Sequence, residues 1–100
     1  MNIKIQSIHF DADKKLIDYI SQKVGKLEQF YDRILDATVY LKLNNHRNKE
    51  NKHVEVKINI LHNTLFKEAE SSTFEAAADM VVDALKIQIT KHKELLLEKS

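Results

Sequence analysis

Alternating and helix-like patterns of hydrophobic residues divide the first third of the chain into a strand and a helix. Residues 3–6 alternate apolar with polar side chains, which predicts a short strand. Asp13 precedes apolar residues at steps of three and four, so it is the best candidate for a helix N-cap. We predict a helix over about 13–30. Its apolar stripe consists of Leu16, Ile17, Ile20, Val24, Leu27 and Tyr31.

Three segments in the middle of the chain predict strands. Residues 37–43 and 54–60 alternate β-branched or aliphatic residues with polar ones, as half-buried strands do. Residues 65–71 follow a short polar break and are patterned more weakly. We predict a third hairpin-linked strand there, without assigning its faces.

The last third of the chain carries the pattern of one long helix. Either Ser72 or Thr73 can cap it, and the helical spacing continues to the C-terminus. The apolar stripe consists of Phe74, Ala77, Ala78, Val81, Leu85, Ile89, His92 and Leu96.

The order of these elements predicts an α+β fold: a two-layer β-α-β-β-β-α sandwich with a four-stranded mixed sheet and two helices on one face. The helical crossover makes the first two strands parallel neighbours, and the remaining strands form an antiparallel meander. The two amphipathic helices cover the apolar face of the sheet. The length of 100 residues fits a single domain spanning 1–100.

Composition excludes several classes of protein. The absence of Cys removes disulfides, thiolate nucleophiles and Cys-ligated zinc, and favours a reducing cytoplasm. One Gly and no Pro leave no phosphate-binding glycine loop. No apolar run approaches the roughly 20 residues of a membrane span, and the first residues lack the core of a signal peptide, so we expect no membrane partner. The formal net charge of +1 does not identify a partner by itself.

Titratable residues give little support for a metal site or an enzyme. No two of the five histidines have the i,i+4 helical spacing of a zinc site, so we expect them to be surface or loop residues. They are His9, His46, His53, His62 and His92. Glu75, Asp79 and Asp83 recur early in the last helix, where the helix dipole explains them. No catalytic motif is present, so no enzyme, cofactor or small-molecule substrate is expected.

Basic side chains fall into three groups. One face of the first helix is lined by Lys15, Gln22, Lys26, Gln29 and, if the turn continues, Arg33, with Lys23 at its edge. The second half of the last helix carries Lys86, Lys91 and Lys93, and the loop before the third strand carries Arg47, Lys49 and Lys52. Each group fits a solvated surface or a phosphate-binding surface, and spacing alone favours the solvated one.

Two stretches carry a more specific signal. Residues 26–34 read Lys-Leu-Glu-Gln-Phe-Tyr-Asp-Arg-Ile, and residues 88–93 read Gln-Ile-Thr-Lys-His-Lys, with Val-Tyr-Leu-Lys at 39–42 between them. Together they closely resemble the ribosome hibernation promoting factor and protein Y family. The likeness covers essentially the whole chain in length and element order, and looks like the short form without a C-terminal dimerisation domain.

The resemblance implies a fold related to double-stranded RNA-binding domains and a role as a translation inhibitor in slow or stationary growth. Members would bind ribosomal RNA of the small ribosomal subunit near the decoding centre and block messenger and transfer RNA by occupancy. Lys23, Lys26 and Lys91 match basic positions of the family, and we expect Lys23 and Lys26 to point to water. Lys86 and Lys93 could add contacts with neighbouring phosphates.

The chain departs from the family pattern at four positions. Ile17, Ala84 and Ile87 stand where members often have basic residues, and Glu75 stands where a Tyr is usual. These departures weaken the predicted charged face.

Two other functions remain open. One is a general double-stranded RNA-binding module that recognises groove shape. The other is a protein interaction module on the outer face of the sheet, which would display Tyr40, Lys42, Glu55, Lys57 and Phe66. The sequence also leaves open the oligomeric state, and whether ribosomes are paired into dimers or silenced singly.

Overall fold

The computed structural model describes residues 1–44 and 51–98. It consists of β1 (Asn2–Ile8), α1 (Lys14–Gly25), a 3-10 helix (Lys26–Gln29), β2 (Ile34–Leu43), β3 (Lys52–Ile60), β4 (Asn63–Ser71) and α2 (Phe74–Glu98). The predicted α+β fold and its β-α-β-β-β-α order are confirmed. Arg47 and Lys49 of the predicted basic loop lie outside the described residues, whereas Lys52 is the first residue of β3.

The four strands form one sheet in the order β1-β2-β3-β4. β1 lies parallel to β2, with Ile5 opposite Val39, and the other two pairs are antiparallel. Because alternate residues share a face, positions 37, 39 and 41 of β2 and positions 54, 56, 58 and 60 of β3 turn toward the core. The buried positions include Val39, Leu41, Val54, Val56 and Ile58.

Strand β2 begins three residues before the point that alternation predicts. Ile34 pairs with Ile60 and Asp36 pairs with Asn59, which leaves Leu35 as an extra residue in the register. This bulge turns both Ile34 and Ala37 inward although they are three positions apart, and leaves Leu35 exposed. A search for strict alternation of apolar and polar residues cannot detect a strand that begins with a bulge.

Side-chain caps fix the beginning of both helices. The Asp13 carboxylate accepts a hydrogen bond from the Leu16 amide at 2.9 Å, as predicted. The Thr73 hydroxyl accepts one from the Ala76 amide at 3.0 Å, so Thr73 rather than Ser72 caps α2. At its other end α1 tightens at Lys26 into the 3-10 helix and does not continue as an α-helix to residue 30.

The helices and the sheet share one apolar core. Ile20, Val24 and Leu27 of the first stripe are fully buried, as are Leu85 and Ile89 of α2. The prediction that Ile17 belongs to the buried stripe is wrong, because this side chain is 36% exposed while its neighbour Leu16 packs against the core. Consecutive helix positions differ by 100°, and the sheet covers only one of the two.

Contacts between the helical segments show that they run in the same direction. The rings of Phe10 and Phe74, just before α1 and at the start of α2, stack at 5.2 Å. After the 3-10 helix, Tyr31 packs edge-on against His92 of α2 at 5.8 Å. Since positions on both segments advance together, the C-terminal half of α1 lies beside the first half of α2, and the 3-10 helix with the residues after it lies beside the second half.

Candidate nucleic-acid interface

Charge is separated along α2. Its first half carries Glu75, Asp79 and Asp83, and its second half carries the predicted lysines Lys86, Lys91 and Lys93. The parallel packing of the helices brings the 3-10 helix to this second half. We call the region around the 3-10 helix and residues 86–94 the basic end of the helix side.

Phe30 lies at the centre of the basic end. The Lys86 amine sits 5.0 Å from the centroid of its ring, within the range of a cation–π contact. The Lys93 amine donates a hydrogen bond to the Phe30 carbonyl at 2.7 Å. The ring itself remains 42% exposed. Two lysines on α2 are therefore held beside one accessible aromatic ring.

A shallow groove of about 350 Å³ runs beside this ring. It is lined by Phe30, Lys86, Ile87, Thr90, Lys91 and Glu94. Among the side chains of residues 1–44 and 51–95, no carboxylate lies within 4.0 Å of the amines of Lys26, Lys86 or Lys91. These amines are available to an external anion, and the single acid in the lining is Glu94.

Lys23 is held by Asp79 across the two helices. Its amine lies 3.4 Å from Asp79 Oδ1, and the Tyr19 hydroxyl donates a 2.8 Å hydrogen bond to the same oxygen. Lys23 points only partly to water, because this ion pair leaves its side chain 37% exposed. The hydrogen bond to Asp79, aided by desolvation, raises the pKa of Tyr19, since it stabilises the protonated phenol.

The remaining predicted bases occupy different places. Lys26 is exposed on the 3-10 helix, whereas Lys15 is exposed in the first turn of α1, toward the opposite end. The helix does not reach Arg33, which precedes β2 and accepts a hydrogen bond from the Leu61 amide through its carbonyl. Arg33 therefore lies in the segment before β2 and is not part of the α1 face.

The departures from the family pattern lie mostly at the surface. Ile87 is 60% exposed in the groove, Ile17 and Glu75 are exposed, and Ala84 is half-buried. Basic side chains would fit at Ile17 and Ile87 without disturbing the core.

The outer face of the sheet holds a charged cluster that the sequence did not reveal. Glu55 Oε1 accepts a hydrogen bond from the Lys42 amine at 2.9 Å and lies 3.1 Å from His53 Nε2. Burial would raise the pKa of Glu55, but hydrogen bonds from Lys42 and His53 outweigh it and hold this pKa below its usual value. Alternation places positions 53 and 55 on one face, but their partners on β4 depend on the strand register.

The outer face also displays the residues expected of a protein interaction surface. Tyr40, Lys42 and Glu55 are half-buried there, and Lys57 and Phe66 are exposed beside one another.

Comparison with known protein families gives a match over most of the chain. The model of the family described as "Sigma 54 modulation protein / S30EA ribosomal protein" matches residues 3–96. The chain belongs to this family. The resemblance to ribosome hibernation promoting factors that residues 26–34 and 88–93 indicate is thereby confirmed.

Several relatives carry hibernation names. The ribosome hibernation promotion factor of Bacillus subtilis (strain 168) is 34% identical over 93 residues, which are 93% of this chain and 49% of that protein. The ribosome hibernation promoting factor of Azotobacter vinelandii is 28% identical over 99 residues, 99% of this chain and 89% of that protein. The chain thus spans about half of the first relative and most of the second.

Solved structures share the fold. The N-terminal domain of Thermus thermophilus Protein Y is 27% identical and superposes with a TM-score of 0.80, covering 92% of this chain and 99% of that domain. A ribosomal subunit interface protein from Coxiella burnetii superposes with a TM-score of 0.83 at 21% identity, covering 94% of this chain and 99% of that one, which supports the fold. Over the part of the chain described here, no helix is both long and apolar enough to span a membrane.

Proposed function

We propose that this chain binds the small ribosomal subunit near the decoding centre and blocks messenger and transfer RNA when growth slows or stops. The observation that carries the proposal is the basic end of the helix side, where lysines surround the exposed ring of Phe30. Relatives named ribosome hibernation promoting factors support it. In this proposal residues 1–100 act as one ribosome-binding domain in the cytoplasm.

Phosphates of ribosomal RNA are the ligands that suit these lysines. A lysine that neutralises a phosphate releases a condensed counterion, so each contact adds about −0.7 to −0.9 to the slope of log affinity against log salt. We assign the first contacts to Lys26, Lys86 and Lys91, whose amines have no carboxylate partner in the described structure. Lys93 lies beside them, Arg33 before β2 and Lys15 at the far end of α1 add more distant contacts, and Lys23 contributes only when a phosphate replaces Asp79.

Phe30 and Ile87 supply an apolar surface between the charges. An exposed aromatic ring provides a platform for an unstacked base, and the neighbouring isoleucine can cover the ribose. Such contacts discriminate folded ribosomal RNA, with its loops and bulges, from a regular duplex.

Inhibition in this proposal is by occupancy. No bond is made or broken, so the proposal requires no catalytic residue, cofactor, metal or small-molecule substrate. The bound chain needs only to occupy the path of messenger and transfer RNA.

Co-sedimentation with vacant ribosomes through sucrose gradients tests the proposal. The chain is run at two salt concentrations, with and without bound transfer RNA, and with a regular RNA duplex as competitor. The test variant carries Lys86→Gln and Lys91→Gln. The matched control carries Lys4→Gln and Lys57→Gln, which remove two exposed lysines from the outer face of the sheet.

We expect the wild type to migrate with the small subunit and to be displaced by salt and by transfer RNA. The test variant should lose affinity and have a shallower salt slope by about 1.4–1.8, while the control binds as the wild type does. A duplex that competes as well as the ribosome would replace the proposal with general duplex binding. Binding that survives nuclease treatment, or equal losses in both variants, would contradict it in favour of a protein partner.

A further inference from the structure

A histidine on the outer face of the sheet is surrounded by carboxylates from two strands. The antiparallel register of β3 and β4 places Glu55 opposite Glu68 and His53 opposite Glu70, all directed away from the core. The side chain of His53 is only 12% exposed and that of Glu55 only 18%, so the cluster is partly sheltered from water. This grouping depends on tertiary pairing, because Glu55 and Glu68 lie 13 positions apart in the chain.

The geometry around His53 Nε2 suits a small cation. Nε2 lies 3.1 Å from Glu55 Oε1 and 3.4 Å from Glu68 Oε2, and the three atoms all lie within 4.8 Å of one another. A tetrahedral ion with bonds of about 2.0–2.1 Å holds its ligand atoms roughly 3.3–3.5 Å apart. The distances from Nε2 to the two carboxylate oxygens are thus already close to the ligand–ligand distances of a tetrahedral ion.

The other ring nitrogen is oriented by a further carboxylate. His53 Nδ1 lies 3.3 Å from Glu70 Oε1, and the same oxygen accepts a 2.6 Å hydrogen bond from the Asn44 side-chain amide. A carboxylate on the far nitrogen of a metal-binding histidine fixes its tautomer and aims the second nitrogen at the ion. A metal ion would displace the Nε2 proton that faces Glu55, and the proton kept on Nδ1 would continue to point at Glu70.

We propose that His53, Glu55 and Glu68 form a binding site for a divalent transition-metal ion of the Zn²⁺ class, with water in the fourth position. An imidazole nitrogen in the ligand set selects Zn²⁺, Co²⁺ or Ni²⁺ over Mg²⁺ and Ca²⁺, which prefer all-oxygen sites. The ion would link β3 to β4. The site lies on the sheet face opposite the helices, away from the residues proposed to bind the ribosome.

Lys42 is the competitor for this site. Its amine pairs with Glu55 Oε1 at 2.9 Å and supplies positive charge that a metal ion would replace. The side chain is 37% exposed, so the amine can move into water when an ion binds. Removing this charge should therefore strengthen metal binding, an effect that damage to the fold would not produce.

Titration of the untagged protein tests the site. Co²⁺ is followed by its visible absorption and Zn²⁺ by calorimetry, in the wild type, His53→Gln, Glu68→Gln and Lys42→Met. The matched control is His62→Asn, which removes an exposed histidine from the β3–β4 turn. Asn tolerates the positive φ of 70° at that position. Circular dichroism confirms that each variant is folded.

We expect one ion per chain and a Co²⁺ absorption spectrum typical of four-coordinate Co²⁺. Affinity should fall at least about tenfold in His53→Gln and in Glu68→Gln, rise severalfold in Lys42→Met and stay unchanged in His62→Asn. If His53→Gln does not fold, two other measurements test the site. One is the metal affinity of Glu68→Gln, which changes an exposed side chain, and the other is the NMR shift that Zn²⁺ induces in the His53 ring nitrogens of the wild type. Absence of binding, or binding that survives the loss of Glu68, would overturn the proposal.

Discussion

The two faces of this molecule both carry lysines, aromatic rings and glutamates, yet they use them differently. At the basic end of the helix side, Lys86 and Lys91 surround Phe30 and have no carboxylate partner in the described structure. On the outer face of the sheet, Lys42 is bound to Glu55 at 2.9 Å beside His53. The charges around His53 on the sheet face are thus satisfied within the protein.

The comparison shows why counting lysines does not locate a nucleic-acid surface. A lysine in an internal ion pair must give up that pair before it can bind a phosphate, and the two energies largely cancel. Lys23 illustrates this within the helix side, because Asp79 already neutralises it. What distinguishes the basic end is that two lysines without a carboxylate within 4.0 Å among the described side chains, Lys86 and Lys91, lie beside the exposed Phe30.

Removal of an aromatic ring should give the largest contrast between the faces. Phe30→Ala should weaken ribosome binding about tenfold, because base–aromatic stacking is lost, while the salt slope stays unchanged. Phe66→Ala is the matched control, since Phe66 is 48% exposed on the sheet face against 42% for Phe30. Binding curves at several salt concentrations measure both quantities. An equal loss of ribosome affinity in Phe30→Ala and Phe66→Ala would contradict the assignment of ribosome binding to the helix side.

An added charge should strengthen the basic end. Ile87→Lys places an ammonium in the groove, so affinity should rise severalfold and the salt slope should steepen by about 0.7–0.9. Leu35→Lys adds the same charge at the exposed bulge of β2 and should change neither. A gain that is the same in both variants would indicate a general effect of net charge and would contradict the assigned surface.

On the helix side, a lysine with a carboxylate partner should contribute less to ribosome affinity than a lysine without one. Lys26→Gln should weaken ribosome binding severalfold and make the slope shallower by about 0.7–0.9, because an available amine is lost. Lys23→Gln should have a smaller effect, since its amine already contacts Asp79. Parallel salt titrations of the two variants provide the measurement, and a larger loss for Lys23 would reverse our assignment.

The smallest effect concerns the contact that neutralises Lys23. Asp79→Asn should lower the raised pKa of Tyr19 toward its ordinary value, because the carboxylate acceptor is gone. Since the folded-state pKa is raised, this hydrogen bond adds stability that is present below the ordinary pKa of tyrosine. That stability is lost as pH rises through the higher folded value. NMR of labelled tyrosine rings measures the titration, and Asp83→Asn, one turn further along α2, should leave the Tyr19 pKa unaltered.

Local patterns in the sequence predict the order of the elements and most of the core. The stripes through Ile20, Val24, Leu85 and Ile89 are buried as predicted, and Asp13 caps α1. These features follow from local rules: helical periodicity, alternation in strands and side-chain capping act over a few residues. The lysines of α2 were also assigned correctly to its second half, because their order along one helix is set by the chain.

Only the tertiary structure decided which of these residues meet. The parallel packing of the helices brought Lys86 and Lys93 to Phe30 and joined Lys23 to Asp79. The register of β3 with β4 brought His53 beside Glu68, and a slip by one residue would have turned β4's partners to the other face. The bulge at Leu35 turned Ile34 inward against the period of the strand. Packing direction and register depend on contacts across the whole core, and no local pattern encodes them.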